Sequence, residues 1–434
     1  QLDQRDVPTL PLVQYAPLDG SKAPILKANI KVNIGETGKN STYRLVVINV
    51  NTGKLLAADD YPLTPLMLGQ EEFGVFRGNN PLAWWSSNSQ QAFFIDVTLG
   101  SKAIRVVKWD VQTGATQVII EEKSDTNLRL NAANNEPLLF LSLLESDELI
   151  WFSERTGWGH LYLYDLTTGQ LKHQITGTPD QPATSAGEGH WLVRKTLHYD
   201  ADQRELLLQT AARDHRISPY YRDICRVNID SGKLTPLISG NYEYEVYEPN
   251  SMATMFRQAF NMDSRDDING VSPNGQYVVT TFSRVDTAPV TILIDQDGEK
   301  ILTLETADVS GLPNGWHSPE PVKLKAADEQ TDIYGVVFRP PGFSPDQQYP
   351  VLDLAMSMNN WSSLFQGSFT NDTVAGLYYL WAAAYAALGF IVVQIEGRGT
   401  PKRGKPFRDH GYGDFAKTND LTDRIAGLRQ LAKQ

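Results

Sequence analysis

Few residues in this chain of 434 have the types and spacing that nucleophilic catalysis needs. A serine nucleophile on a strained strand-to-helix turn would lie in a G-x-S-x-G motif, and the sequence contains none. The nearest match, Gly270-Val-Ser-Pro-Asn, falls where a turn between strands is predicted. Four of the seven histidines, His160, His190, His198 and His215, lie among strands and loops, where none is placed to serve a serine. The chain alone is therefore predicted to lack a catalytic triad and to be inactive as a serine hydrolase.

A second set of charged and aromatic residues has positions that could contribute to a binding site. These candidates are Glu154, Arg155, Trp158 and Arg398. The first three share one tight turn and could line a binding face or pack against neighbours. Arg398 follows a predicted parallel strand, at the sheet edge where such folds place their sites. For all four a structural role is favoured over substrate contact. For Arg398 that role is an ion pair with Glu396 or Asp414.

The turn that carries three of these residues joins two predicted strands in the stretch WFSERTGWGHLYLYD, residues 151–165. The first strand begins near Glu148. Gly157 can take the positive φ that a tight turn needs. The second strand, HLYLYD, alternates leucine with tyrosine and histidine, which predicts a half-buried strand.

One pattern recurs along the first 300 residues: an apolar strand, an Asp or Asn and, shortly after, a glycine. It is found in LVVINVNTGK, VVKWDVQTGA, LYLYDLTTGQ, ICRVNIDSGK and, more loosely, TILIDQDGEK, with glycines at 53, 114, 169, 232 and 298. A second strand signal precedes each later unit, so every repeat can hold four short strands. This rhythm is typical of propeller blades, and a β-sandwich would not give five matching units. We expect at least four four-stranded blades before residue 310.

The periodicity changes after the last repeat. Residues 310–350 are rich in Pro and Gly and indicate a domain junction followed by a hairpin. Beyond them the sequence predicts a buried strand VLDLAM, a helix DTVAGLYYLWAAAYAALG ended by Gly389, and a strand FIVVQIEG. A last helix places Leu421, Ile425, Leu428 and Leu431 on one face. Strand, helix, strand, helix is the opening of a doubly wound α/β sheet.

Composition limits the function classes. The aliphatic, aromatic and charged fractions are those of a globular protein, and the net charge of −12 argues against a nucleic-acid partner. The one cysteine, Cys225, excludes an internal disulfide and is expected to be buried in a strand. The apolar helix is too short and rich in tyrosine for a membrane span. The chain begins at Gln1 without a signal peptide pattern, which suggests a processed or truncated product. No cofactor and no metal site are predicted.

Several long motifs together resemble the dipeptidyl peptidase IV-like serine peptidases, relatives of prolyl oligopeptidase. They are WFSERTGWGHLYLYD, PEPVKLKAADEQTDIYGVVFRPPGFSPDQQYPVLD and ALGFIVVQIEGRGTPKRGKPFRDHGYGDF. The resemblance implies an eight-bladed β-propeller, represented in part by residues 1–318. It also implies that residues 319–434 are the first part of an α/β-hydrolase domain. The family's glutamate pair for the substrate ammonium is not identified, and Glu71-Glu72 is interpreted as loop charge.

The resemblance also implies an activity, the release of X-Pro or X-Ala dipeptides from peptide N-termini by a Ser-Asp-His triad. Peptide substrates, a possible homodimer and an extracytoplasmic location, periplasmic or secreted, come from the family alone. One position departs from the family pattern, because Met356 stands where a tyrosine hydroxyl helps to stabilise the oxyanion, and methionine cannot donate a hydrogen bond. Two functions stay open for this polypeptide: part of a serine exopeptidase, or a non-catalytic propeller module that binds peptides or a protein partner.

Overall fold

The computed structural model describes residues 9–14, 25–31, 45–58, 61, 82–131, 136, 138–177, 190–247, 269–312, 315–355 and 373–433. The described residues up to Leu128 form one compact unit, and those from Arg129 onward form a second. None of the helices in these ranges is long and apolar enough to cross a membrane.

The first unit is built from short antiparallel sheets. Two are two-stranded, and the third has four strands in the order β5-β6-β7-β8. The strands are β1 (Thr9–Gln14), β2 (Ile25–Lys31), β3 (Val46–Ile48), β4 (Leu55–Ala57), β5 (Ala83–Trp85), β6 (Gln91–Val97), β7 (Ala103–Asp110) and β8 (Thr116–Lys123), with a 3-10 turn at Leu99–Ser101. Aromatic residues of β6 and β7, Phe94 and Trp109, are buried with Ala58 in its core.

The second unit begins with three more four-stranded antiparallel sheets, each a meander of consecutive strands. Their strands are β9 (Phe140–Leu143), β10 (Glu148–Ser153), β11 (His160–Asp165), β12 (Leu171–Gln174), β13 (Leu192–Asp200), β14 (Glu205–Ala211), β15 (Arg222–Asn228), β16 (Leu234–Ile238), β17 (Glu243–Val246), β18 (Tyr277–Arg284), β19 (Thr287–Asp295) and β20 (Lys300–Thr306). With β5–β8 they make four four-stranded sheets, as the repeat predicted.

Consecutive sheets of the second unit pack face to face through apolar layers. Leu163 and Phe152 of one sheet share a buried cluster with Leu208 and Cys225 of the next. Cys225 is thus a buried strand residue, as expected. The prediction that β11 is half-buried was wrong, because its first five residues are all buried. Both faces of this strand are covered, and alternation of residue types does not reveal a second packed face.

The carboxyl-terminal segment, residues 320–433, combines a sheet with helices. Its strands are β21 (Glu320–Lys325), β22 (Asp332–Phe338), β23 (Val351–Asp353) and β24 (Ile391–Ile395), and its helices are α1 (Thr373–Ala387), α2 (Lys405–Asp409) and α3 (Leu421–Leu431), with a 3-10 turn at Phe415–Lys417. The sheet order is β21-β22-β24-β23, and the β23–β24 pair is parallel. Because α1 connects these two parallel strands, the segment contains the predicted strand-helix-strand unit.

The predicted apolar face of α3 is only half correct. Leu428 and Leu431 pack against the sheet core, but Leu421 and Ile425 are exposed. Asp423 and Arg424 are buried in their place. Gly427 lets the helix approach closely, since a Cβ there would lie 3.1 Å from a methyl of Ile395. The helix therefore packs through a glycine and two ion-paired residues as well as through leucines.

Candidate functional site

The Glu154 turn, residues 154–157, contacts the carboxyl-terminal segment through a buried ion pair. Gly157, at φ 88°, donates its N–H to the Glu154 carbonyl at 2.8 Å and closes the turn. Both carboxylate oxygens of Glu154 accept from Nη1 of Arg408 on α2, each at 2.6 Å. The two side chains are 5% and 2% exposed. Glu154 is therefore fully engaged in joining two parts of the second unit.

Backbone contacts strengthen the same junction. The N–H of Lys405, the first residue of α2, donates to the Gly157 carbonyl at 2.7 Å. Gly404 allows this approach, because a Cβ there would lie 3.0 Å from both that carbonyl and the Trp158 ring. Trp158 itself stacks on His190 with ring centroids 5.7 Å apart. The sequence candidates Glu154 and Trp158 thus lie at one junction.

Arg155 has a different environment from its neighbour Glu154. Its guanidinium lies 4.2 Å from the centroid of the Tyr162 ring and donates to the Tyr164 hydroxyl at 2.8 Å. Its Nε donates to Ser153 Oγ at 2.9 Å. Every one of these contacts is with β10 or β11, so Arg155 stabilises its own hairpin.

Arg398 forms an ion pair, but the predicted partners Glu396 and Asp414 were wrong. Its Nε and Nη2 donate to the Asp423 carboxylate at 2.9 Å each, and its Nη1 donates to Asp328 at 2.7 Å. Asp423 is fully buried and also accepts the backbone N–H groups of Arg398 and Ala327. The residue that fixes this loop therefore comes from α3.

The ligand atoms of Asp423, Asp420 and His410 lie within 4.8 Å of one another, a spacing that a metal ion could use. Their hydrogen bonds are made inside the protein, however. His410 Nε2 lies 2.8 Å from Asp420, whose other oxygen accepts from Thr422. We interpret the trio as loop structure.

A second buried carboxylate, Glu396, lies directly after β24. It accepts the Tyr334 N–H at 3.0 Å and a bond from Arg403 Nη1 at 3.2 Å, and it pairs with the hydroxyl of Tyr220 from the loop before β15. Burial raises the pKa of Glu396 to about 7, although Arg403 and the Tyr334 N–H oppose that rise. An acid with this pKa changes its charge near neutral pH.

A cavity of about 500 Å³ lies beside these contacts, within the second unit. Trp158 and His190 line it on one side, and Tyr334, Arg403 and Phe407 line it from the carboxyl-terminal segment. Arg398 and His410 also reach it. Two of the four sequence candidates, Trp158 and Arg398, therefore share one cavity, whereas Glu154 and Arg155 are absent from its lining.

Two expectations fall outside the described residues. Met356, the position assigned to the oxyanion, lies in a stretch that the structure does not describe. The same holds for Glu71 and Glu72. The serine of Gly270-Val-Ser-Pro-Asn is described. Its N–H donates to the Tyr277 carbonyl at 2.9 Å in a turn before a strand, as predicted.

Comparison with protein-family models gives two matches in the order of the chain. Residues 1–289 match the dipeptidyl peptidase IV (DPP IV) N-terminal region, and residues 377–434 match the prolyl oligopeptidase family. The first match alone covers two thirds of the chain. The chain belongs to the dipeptidyl peptidase IV family.

Individual relatives of the DPP IV family are distant but aligned over most of the chain. The Aspergillus flavus protein named "Probable dipeptidyl peptidase 4" is 22% identical over 419 residues, which are 94% of this chain and 46% of that protein. A solved Bacteroides ovatus structure has a TM-score of 0.69 at 19% identity, covering 100% of this chain and 54% of the other. Porphyromonas gingivalis dipeptidyl peptidase 4 has a TM-score of 0.61 at 18% identity, covering 98% and 51%. The chain thus spans about half the length of these relatives, and its four-stranded sheets fit their propeller-like amino-terminal domain.

Several residues with buried polar contacts in this part of the chain were not predicted from the sequence. Arg408, Glu396, Tyr220 and Asp423 were not selected, although each makes a buried polar contact described above. Apart from Arg403, which is seven residues from Glu396, the partners described above lie between 25 and 254 residues away along the chain. A usable signal was present, because charged residues inside an apolar strand end or helix face need buried partners. The sequence did not identify those partners.

Proposed function

We propose that this chain is part of a serine exopeptidase of the dipeptidyl peptidase IV type, which releases X-Pro or X-Ala dipeptides from peptide N-termini. In this proposal residues 1–318 are part of an eight-bladed propeller and residues 319–434 are the first part of an α/β-hydrolase domain. The observation that supports it best is the pair of family matches, the DPP IV N-terminal region followed along the chain by the prolyl oligopeptidase family. The parallel β23–β24 pair connected through α1 agrees with the second half.

In this function the candidate residues have distinct roles. Glu154 and Trp158 hold the propeller against the loop that follows β24, and Arg398 fixes that loop from its other end. Loops at the carboxyl ends of parallel strands carry the active sites of such sheets, so these residues act by positioning. Met356 replaces an oxyanion donor, and its substitution by tyrosine is expected to raise kcat in a complete enzyme. Peptides are the proposed partners, and a homodimer is part of the same proposal.

The test compares the purified chain of 434 residues with the product of its complete reading frame. Both are assayed with Gly-Pro and Gly-Ala p-nitroanilides, with and without a serine-directed phosphonate. We expect turnover that the phosphonate abolishes from the complete product, and none from the chain alone, because its sequence holds no G-x-S-x-G elbow. A complete product that binds such peptides without cleaving them would favour the non-catalytic module. Phosphonate-sensitive turnover by the chain alone would contradict its predicted inactivity.

A further inference from the structure

The cavity beside Trp158 has walls suited to a flat ring. Trp158, Trp191, Tyr334 and Phe407 line it, and its volume of about 500 Å³ lies in the range of small-molecule sites. Its lining comes from both the sheet-rich residues 158–219 and the carboxyl-terminal segment. A ligand in this cavity would therefore contact both parts of the second unit.

Two arginines that line the cavity have unused donors. Arg403 uses Nη1 for Glu396 and for the Asp332 carbonyl, and Arg213 uses Nη1 for Asp223 at 3.1 Å. Within the described ranges, Nε and Nη2 of both arginines make no hydrogen bond. These two nitrogens form the edge of the guanidinium that binds a carboxylate with two parallel bonds. Arg398 lines the same cavity but is excluded as a ligand group, since all three of its nitrogens bind Asp423 or Asp328.

The acidic groups of the cavity wall already have cationic partners. Asp332 pairs with Lys323 and Lys325 at 3.0 and 2.6 Å, and Asp214 pairs with Arg216 at 2.6 Å. A cationic ligand would have to compete with these lysines and this arginine. An anion needs to displace no protein group from the free edges of Arg403 and Arg213.

We propose that this cavity binds an organic anion that carries both a carboxylate and an aromatic ring. The carboxylate binds the free guanidinium edge of Arg403 or Arg213, and the ring packs against the aromatic wall that includes Trp158 and Phe407. Such a group could be a free aromatic acid or the carboxyl end of a peptide whose last residue is aromatic.

Glu396, the carboxylate that pairs with Arg403, gives anion binding at this site a pH dependence. The groups that face Glu396 are Arg403, the Tyr220 hydroxyl and, more distantly, Asp423. When Glu396 takes up a proton, Arg403 loses its counter-charge and attracts an anion more strongly. Because burial raises the pKa of Glu396 to about 7, anion binding should tighten as the pH falls from 8 to 6.

The experiment titrates the chain of 434 residues with three probes by calorimetry: indole-3-acetate, its neutral amide and cationic tryptamine. We expect indole-3-acetate to bind at least about tenfold more tightly than either of the others, the size of one charge-assisted pair. A peptide ending in tryptophan and its C-terminal amide form a second pair, which distinguishes a peptide end from a free acid. If only indole-3-acetate binds, the ligand is a free acid. If the peptide acid also binds and its amide does not, the ligand can be a peptide end. Either result supports the proposal.

Variants localise the binding. The variant of the arginine that binds the carboxylate, Arg403→Gln or Arg213→Gln, should weaken indole-3-acetate about tenfold, whereas Arg339→Gln, which removes an exposed pair with Glu320, should not. Melting temperatures establish that each variant is folded, and having two arginine variants keeps the test valid if one fails to fold. Equal affinity for tryptamine, absence of binding by every probe, or full affinity in both arginine variants would overturn the proposal. No step needs catalysis, so failure here leaves the proposed peptidase function unaffected.

Discussion

Two kinds of turn in this molecule use acidic or amide side chains in opposite ways. We call the five repeated turns that end at glycines 53, 114, 169, 232 and 298 the outer turns. In them an Asp or Asn accepts backbone N–H groups two to four residues ahead, as Asp110 does from Gln112 and Thr113 at 2.8 and 2.9 Å. Asn49, Asp165, Asn228 and Asp295 do the same in their own turns. In the Glu154 turn the carboxylate instead binds Arg408, 254 residues away.

The difference separates local chemistry from long-range chemistry. The N–H groups that each Asp or Asn of an outer turn accepts come from the turn itself, so the residue pattern is sufficient to predict the turn. The Glu154 turn has a local part, the positive φ of Gly157, and a distant part, the buried pair. Only the local part can be predicted from the fifteen residues around it. What a turn does for the protein therefore depends on whether its side chains bind within the turn or across the fold.

The largest expected effect on stability comes from removing Arg408, the distant partner of Glu154. Arg408→Met should destabilise the second unit by ~3–5 kcal/mol, because it removes the side chain that donates to both oxygens of the buried Glu154 carboxylate, although the charge of buried Arg129 still acts on that carboxylate. The measurement is urea unfolding followed by circular dichroism. The double variant Glu154→Leu/Arg408→Met removes both charges of the pair and should recover part of the loss, because buried Arg129 then also loses the charge of Glu154.

An exposed pair provides the matched control for Arg408. Arg339→Gln breaks the Arg339–Glu320 pair, whose side chains are 34% and 50% exposed, and should change stability by ~0–1 kcal/mol. If Arg408→Met costs no more than this variant, the Glu154 turn gains nothing from its distant partner. The comparison between the two kinds of turn would then fail.

What could be predicted from the sequence follows the same division. The bounds of β11, the five glycine-marked turns of the repeat and the end of α1 before Gly389 all depend on residues close in the chain, and all are confirmed. The partner of Arg398 and the packed face of α3 depend on which elements meet, and both predictions were wrong in part. The cavity could not be predicted at all, because its walls come from residues 158–410.

The pH dependence of stability provides a test with an effect of intermediate size. Because the folded-state pKa of Glu396 is about 7 and its ordinary value is 4.5, the folded protein binds the extra proton between these values. The stability that this proton contributes is complete below pH 4.5, falls as the pH rises to about 7, and is absent above it. Glu396→Gln should remove this slope, so the difference in Tm between variant and wild type should rise from pH 5 to 7 and then level off. Asp165, whose turn hydrogen bonds lower its pKa, is the control, since Asp165→Asn should show a constant difference in this window.

The smallest expected effect lies in an outer turn. Gly169 has φ 74° and donates its N–H to the Asp165 carbonyl at 2.8 Å, so Gly169→Ala places a Cβ in the left-handed region at a cost of ~1–2 kcal/mol. Gly169→Asn should cost less, because asparagine tolerates this conformation better. Since the bonds of this turn are local, its loss should also be independent of the distant pair. The free-energy losses of Gly169→Ala and Arg408→Met, measured by urea unfolding, should therefore add within ~0.5 kcal/mol in the double variant. A larger deviation from additivity would mean that the outer turn and the buried pair stabilise each other through strand β11, which lies between the two turns, and the division between local and long-range turns would not hold.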